Sequence, residues 1–210
     1  MIGFRHALTA LAAAFAVSAA QSAPIVDATG DFIPSFGGTA SADIDVVGAE
    51  VFYNPLTDAF VLTASMAGTI ANVANHLYVW GVNRGAGTVG FPSIAPGVLF
   101  DRVILLRPDG TGSIGGVGLP AGSVVIDDDT ITATVAASLL PSTGFGATAY
   151  TWNLWPRDTT AAGTAAISDF APDNSNFATT VVPEPAPLAL LAAAALGAGG
   201  LRRRGRHAAA

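Results

Sequence analysis

Carboxylates are the main chemical resource of this sequence. Between Pro24 and Val182, thirteen aspartates and Glu50 face only four arginines (Arg84, Arg102, Arg107 and Arg157), a balance of −10. Acids without basic partners either stay solvated or bind a hard cation, and calcium takes roughly six to eight oxygen ligands. Three sets supply oxygens at short spacing: Asp27, Asp31, Asp43 and Asp45; Asp127-Asp128-Asp129; and Asp169, Asp173, Asn174 and Asn176. In an extended strand Asp43 and Asp45 fall on one side. None of these sets spells a specific calcium loop, and Asp127 to Asp129 read more simply as a solvated hairpin tip between Ile126 and Thr130. Solvation is the expected state, with calcium at Asp27, Asp31, Asp43 and Asp45 as the alternative and no other cofactor implied.

Other chemistry is scarce. The chain has no cysteine, which excludes disulfides, thiolate metal sites and a thiol nucleophile. His76 is the one histidine between Pro24 and Val182, and Asn75-His76-Leu77 brings no positioned partner with it, so general-base work is not expected there. Neither a Gly-x-Ser-x-Gly elbow nor a His-Glu-x-x-His helix occurs. Gly110-Thr111-Gly112-Ser113-Ile114-Gly115 spells a G-x-G-x-x-G fingerprint, but Gly116, Gly118 and Pro120 follow where a phosphate-binding helix should open, so it reads as a flexible hairpin return. With no catalytic constellation, a non-enzymatic protein is expected.

Aromatic residues offer a second candidate site. Tyr78 and Trp80 alternate in one segment, Tyr150 and Trp152 in another, and Trp155 and Arg157 flank Pro156. Exposed, Trp80, Trp152 and Trp155 would stack on sugar rings; buried, they would form the core, which is the expectation given their large apolar area. Arg84 and Arg157 are expected to close loops by pairing with acids such as Asp101 or Asp169. The acidic interior repels phosphate backbones and argues against a nucleic-acid partner.

The elements that must position these groups are strands. Thr130 to Val135 alternates with period two, as does Tyr150 to Leu154, and Val46–Tyr53, Ala59–Ser65, Leu77–Val82, Val98–Leu106 and Val124–Ile126 are further strands bounded by turn residues. Asn54 to Asp58 and Pro108-Asp109-Gly110 are turns, Ala136 to Leu140 favours a short helical turn before Pro141, and Phe177 to Val182 reads as a last strand or a linker. Short, evenly spaced strands predict an all-β domain, an antiparallel β-sandwich or jelly roll, over residues 21–182.

Both ends read as addresses. Arg5 and His6 precede fourteen uncharged residues, Ala7 to Ala20, as in a secretory signal peptide spanning 1–20, with signal peptidase cutting after Ala20. At the other end Pro183-Glu184-Pro185 is followed by sixteen uncharged residues, Ala186 to Leu201, and then by Arg202-Arg203-Arg204-Gly205-Arg206. A single apolar helix of this length reaches about 24 Å at about 1.5 Å per residue, a marginal membrane span with its arginines held on the cytoplasmic side. The two prolines keep Glu184 in extended chain just outside the bilayer.

This tripartite order over 183–210 resembles the PEP-CTERM sorting signal of exported bacterial proteins. The resemblance implies that Pro183, Glu184 and Pro185 are recognised by an exosortase, with Arg202, Arg203 and Arg204 as the retained basic end. It further implies a Gram-negative host that makes extracellular polysaccharide, a passage through the inner membrane, and a final place on the cell envelope surface or in the extracellular matrix. An unprocessed C-terminal anchor would obey the same membrane physics. The expected role is that of a surface or matrix protein, with a carbohydrate-binding or calcium-dependent recognition module as the alternative.

Overall fold

The computed structural model describes residues 24–181. The sorting motif Pro183, Glu184 and Pro185, the arginines Arg202, Arg203 and Arg204, the signal segment 1–20 and the apolar stretch 186–201 lie outside the described residues. In chain order the strands are β1 (Ile25–Val26), β2 (Val46–Asn54), β3 (Ala59–Met66), β4 (His76–Asn83), β5 (Thr88–Phe91), β6 (Ala95–Phe100), β7 (Arg102–Leu106), β8 (Gly112–Ile114), β9 (Val117–Gly118), β10 (Val124–Asp127), β11 (Thr130–Ala136), β12 (Thr151–Asp158), β13 (Phe177–Ala178) and β14 (Thr180–Val181). The described residues therefore form an all-β body. Its helical content among the described residues is limited to short 3₁₀ turns, one of which, Ala137–Leu139, falls in the segment expected to turn before Pro141.

Two sheets face each other. The first runs β1-β2-β3-β11-β10, with β14 also on β2; the second runs β13-β12-β4-β7-β8-β9. Period-two alternation dictates which side chains meet. Phe60, Leu62, Ala64 and Met66 of β3 and Ile131, Ala133 and Val135 of β11 point inward, against Tyr78, Trp80 and Val82 of β4, Ile104 and Leu106 of β7, and Trp152 and Leu154 of β12. Phe60 is the aromatic hinge of this core, 5.2 Å from Trp152 and 5.5 Å from Tyr150 between ring centroids.

A smaller core lies on the outer face of the second sheet. There the β5–β6 hairpin covers Val79 and Trp155, with Ala95, Val98, Ile167 and Phe170 buried alongside. Phe91 and Phe100 each approach the Trp155 ring to 5.0 Å. Pairing explains one departure from the sequence expectation. Val98 to Leu106 is two strands rather than one, because β6 pairs with β5 while β7 pairs with β4, and Asp101 breaks the run between them.

The last strand also divides. Phe177 pairs with Trp152 in one sheet and Thr180 pairs in parallel with Phe52 in the other. Thr179 is the pivot: its hydroxyl accepts the Trp152 indole N–H at 2.8 Å and donates to the Tyr150 carbonyl at 2.8 Å. The chain thus crosses from sheet to sheet within five residues, Phe177 to Val181, and joins β1 on the outer edge of β2.

Candidate functional site

Five aspartates from three stretches of chain meet where β1 joins β2. Asp27 and Asp31 follow β1, Asp45 immediately precedes β2, and Asp169 and Asp173 belong to the segment between β12 and β13. Carboxylate oxygens of Asp31, Asp45 and Asp169 lie within 4.8 Å of one another, and so do those of Asp27, Asp169 and Asp173, so Asp169 belongs to both groups.

Local structure fixes each acid. Gly30, with φ +82°, turns the chain so that its N–H donates to Asp45 Oδ2 at 2.8 Å. Asp169 accepts the Val46 N–H at 2.9 Å and the Phe170 N–H at 2.7 Å. The Ser168 hydroxyl donates to the Ile44 carbonyl at 2.7 Å, locking the later segment onto the start of β2. Amides then hold the Asp173 loop. Asn153, fully buried, donates through Nδ2 to the Pro172 and Ser175 carbonyls at 2.7 and 2.8 Å.

Electrostatically the cluster is uncompensated. Burial, reinforced by the charges of Asp27 and Asp31, pushes the Asp169 carboxyl up to about 8 against the two backbone N–H groups it accepts. Burial and the Asp31 charge push Asp27 up to about 6, and burial also raises Asp45. The side-chain ion pairs among the described residues are His76–Asp43 and Arg84–Asp101, so no basic group balances these acids.

The candidate calcium set is therefore regrouped. Asp27, Asp31 and Asp45 come together as expected, but Asp43 does not join them. Ala42–Ile44 forms a 3₁₀ turn rather than extended strand, which rotates Asp43 away from Asp45. Asp43 Oδ2 instead accepts from His76 Nδ1 at 2.7 Å, and its other oxygen accepts the Ser41 hydroxyl. A hydroxyl on the carboxylate rather than on the imidazole leaves this group without the nucleophile–base contact that acyl transfer needs. Asn174 and Asn176 are also removed from the acidic set: their amide oxygens accept the Gly97 and Leu99 N–H groups of β6 at 2.7 and 2.9 Å.

The aromatic candidates resolve as core. Trp80 and Trp152 are fully buried between the sheets and Trp155 is 2% exposed beneath the β5–β6 hairpin, so none of the three presents a ring face for sugar stacking. Arg84 does pair with Asp101, its Nε donating at 2.8 Å, whereas Arg157 donates to the Gly163 carbonyl at 2.7 Å rather than to Asp169. Asp127 to Asp129 form the β10–β11 hairpin tip, with Asp128 at φ +52°. The fingerprint at Gly110–Gly115 is likewise the β7–β8 turn and β8 itself.

Two open surface grooves of about 500 and 370 Å³ share Arg102 and Gly115 on their walls. Neither brings two carboxylates face to face, as glycoside hydrolysis requires. Among protein-family models and curated proteins, none matches this chain.

Proposed function

We propose that this chain is an exported, non-enzymatic protein of the cell surface or extracellular matrix, delivered there by its C-terminal Pro183-Glu184-Pro185 signal through an exosortase. The signal peptide of 1–20 starts export, and the apolar helix and Arg202, Arg203 and Arg204 hold an inner-membrane intermediate for processing. The observation that carries this reading is the order of the tail, an extended acidic motif, an apolar stretch and an arginine cluster, immediately behind a body that closes at Val181.

The body supports a structural role. Its three tryptophans are spent on packing, which leaves none of them as a platform for sugar recognition and favours service as an all-β module among extracellular polysaccharides. The spacing between body and motif is short. From Val181 to Pro183 the chain advances two residues, about 7 Å when extended, so the processing enzyme must work close to the folded edge of β2.

Replacement of Glu184 by Ala tests the proposal. In a host with an exosortase, the variant should accumulate as a longer, membrane-held precursor while its body folds normally. Mass spectrometry of both products reads the termini directly. Identical processing of variant and parent, or a mature parent that keeps Arg202 to Arg206, would sink the sorting assignment in favour of an unprocessed anchor.

A further inference from the structure

Two buried carboxylate oxygens of the acidic cluster, Asp27 Oδ2 and Asp45 Oδ1, have no hydrogen-bond partner. Asp45 is 3% exposed, and its carboxylate lies within 4.8 Å of those of Asp31 and Asp169. We propose that Asp27, Asp31, Asp45, Asp169 and Asp173 bind a divalent cation of the calcium type that ties the segment after β1 to the segment before β13.

An ionised carboxylate only accepts hydrogen bonds, so a buried oxygen with no donor needs another source of positive charge. A cation satisfies the orphaned oxygens and neutralises several charges at once.

The donor set selects the metal. It contains oxygen only, with no thiol in the chain and with His76 engaged by Asp43, which disfavours zinc and copper. Magnesium requires a near-regular octahedron and keeps most of its waters, whereas calcium accepts many carboxylates from irregular loops. Affinity in the range of roughly 0.1–1 mM, usual for extracellular modules, fits a site partly open to solvent through the exposed Asp31 and Asp173. The site lies wholly within the body, and only the affinity range rests on the proposed extracellular placement.

The test is thermal unfolding of the full chain in detergent, followed by tryptophan fluorescence, in EDTA, in calcium and in magnesium. At about 10 mM calcium, roughly ten to a hundred times such a Kd, the Tm should rise by roughly 3–10 °C for a domain of this size. Magnesium should give a clearly smaller rise.

Asp45→Asn should abolish the calcium shift without lowering the Tm in EDTA. The asparagine keeps an acceptor for the Gly30 N–H and removes one repelling charge. A merely structural aspartate predicts the reverse, a lower Tm in EDTA with the shift intact. The exposed Asp31→Asn should also reduce the shift, and it decides alone if the first variant does not fold. Asp109→Asn, in the turn before β8, should keep the full response. No calcium shift in the parent, an equal shift with magnesium, or full shifts in the folded Asp31 and Asp45 variants would overturn the proposal.

Discussion

At the scale of single residues, side chains with a defined partner carry the stability that can be tested. Arg84 is buried, and its guanidinium meets Asp101 at 2.8 Å and the Pro141 carbonyl at 2.8 Å. Burial alone would raise Asp101, but hydrogen bonds from Thr143, Arg84 and the Ala86 N–H, with the arginine charge, hold it below its ordinary value of 3.8. A depressed acid stabilises the fold above the unfolded-state value and loses that contribution as pH falls through the folded-state one. Asp101→Asn should therefore cost about 2–4 kcal/mol at neutral pH in chemical denaturation, with the gap to the parent narrowing below about pH 4. A gap constant from neutral to strongly acidic pH would exclude this ion pair as its source. Residue chemistry was partly legible in the sequence. The spacing of Asp27, Asp31 and Asp45 grouped them correctly, but Asp169 reaches them through the Val46 N–H, 123 positions away, and no local pattern encodes such a meeting.

At the scale of elements, β11 and β12 lie where period-two alternation placed them, and β2, β3, β4 and β10 where runs bounded by turn residues placed them. The β5–β6 hairpin was not legible, since a second small core on the outside of a sheet has no signature beyond Phe91, Phe100 and Trp155 themselves. Close approach there makes Gly81 necessary. A Cβ at this position would stand 2.5 Å from two atoms of the Trp155 ring and 3.2 Å from Phe100 Cβ. Gly81→Ala should lower stability by about 1–3 kcal/mol, seen as a lower urea midpoint at unchanged slope; a neutral result would mean that the ring can slide. The crossing from β13 to β14 gives a further check. Thr179→Val leaves the buried Trp152 N–H without its acceptor and should cost about 1–3 kcal/mol, whereas Thr179→Ser, which keeps the hydroxyl, should recover most of it.

At the scale of the molecule, the two sheets hold the apolar mass and the loops hold the charge. The sequence separated these roles: short, evenly spaced strands indicated an all-β body, and its acids clustered in short turn and loop stretches such as Asp127 to Asp129. What it did not disclose is how the ends of that body are arranged. Ile25 lies opposite Ala49 and Thr180 opposite Phe52, so entry and exit occupy one border of a single strand, three positions apart. That border is occupied by β1 and β14, two residues each, edges too short to offer a neighbouring strand much backbone to pair with. The longer free edge of the first sheet is the far rim, where the four-residue β10 leaves Val125 55% exposed.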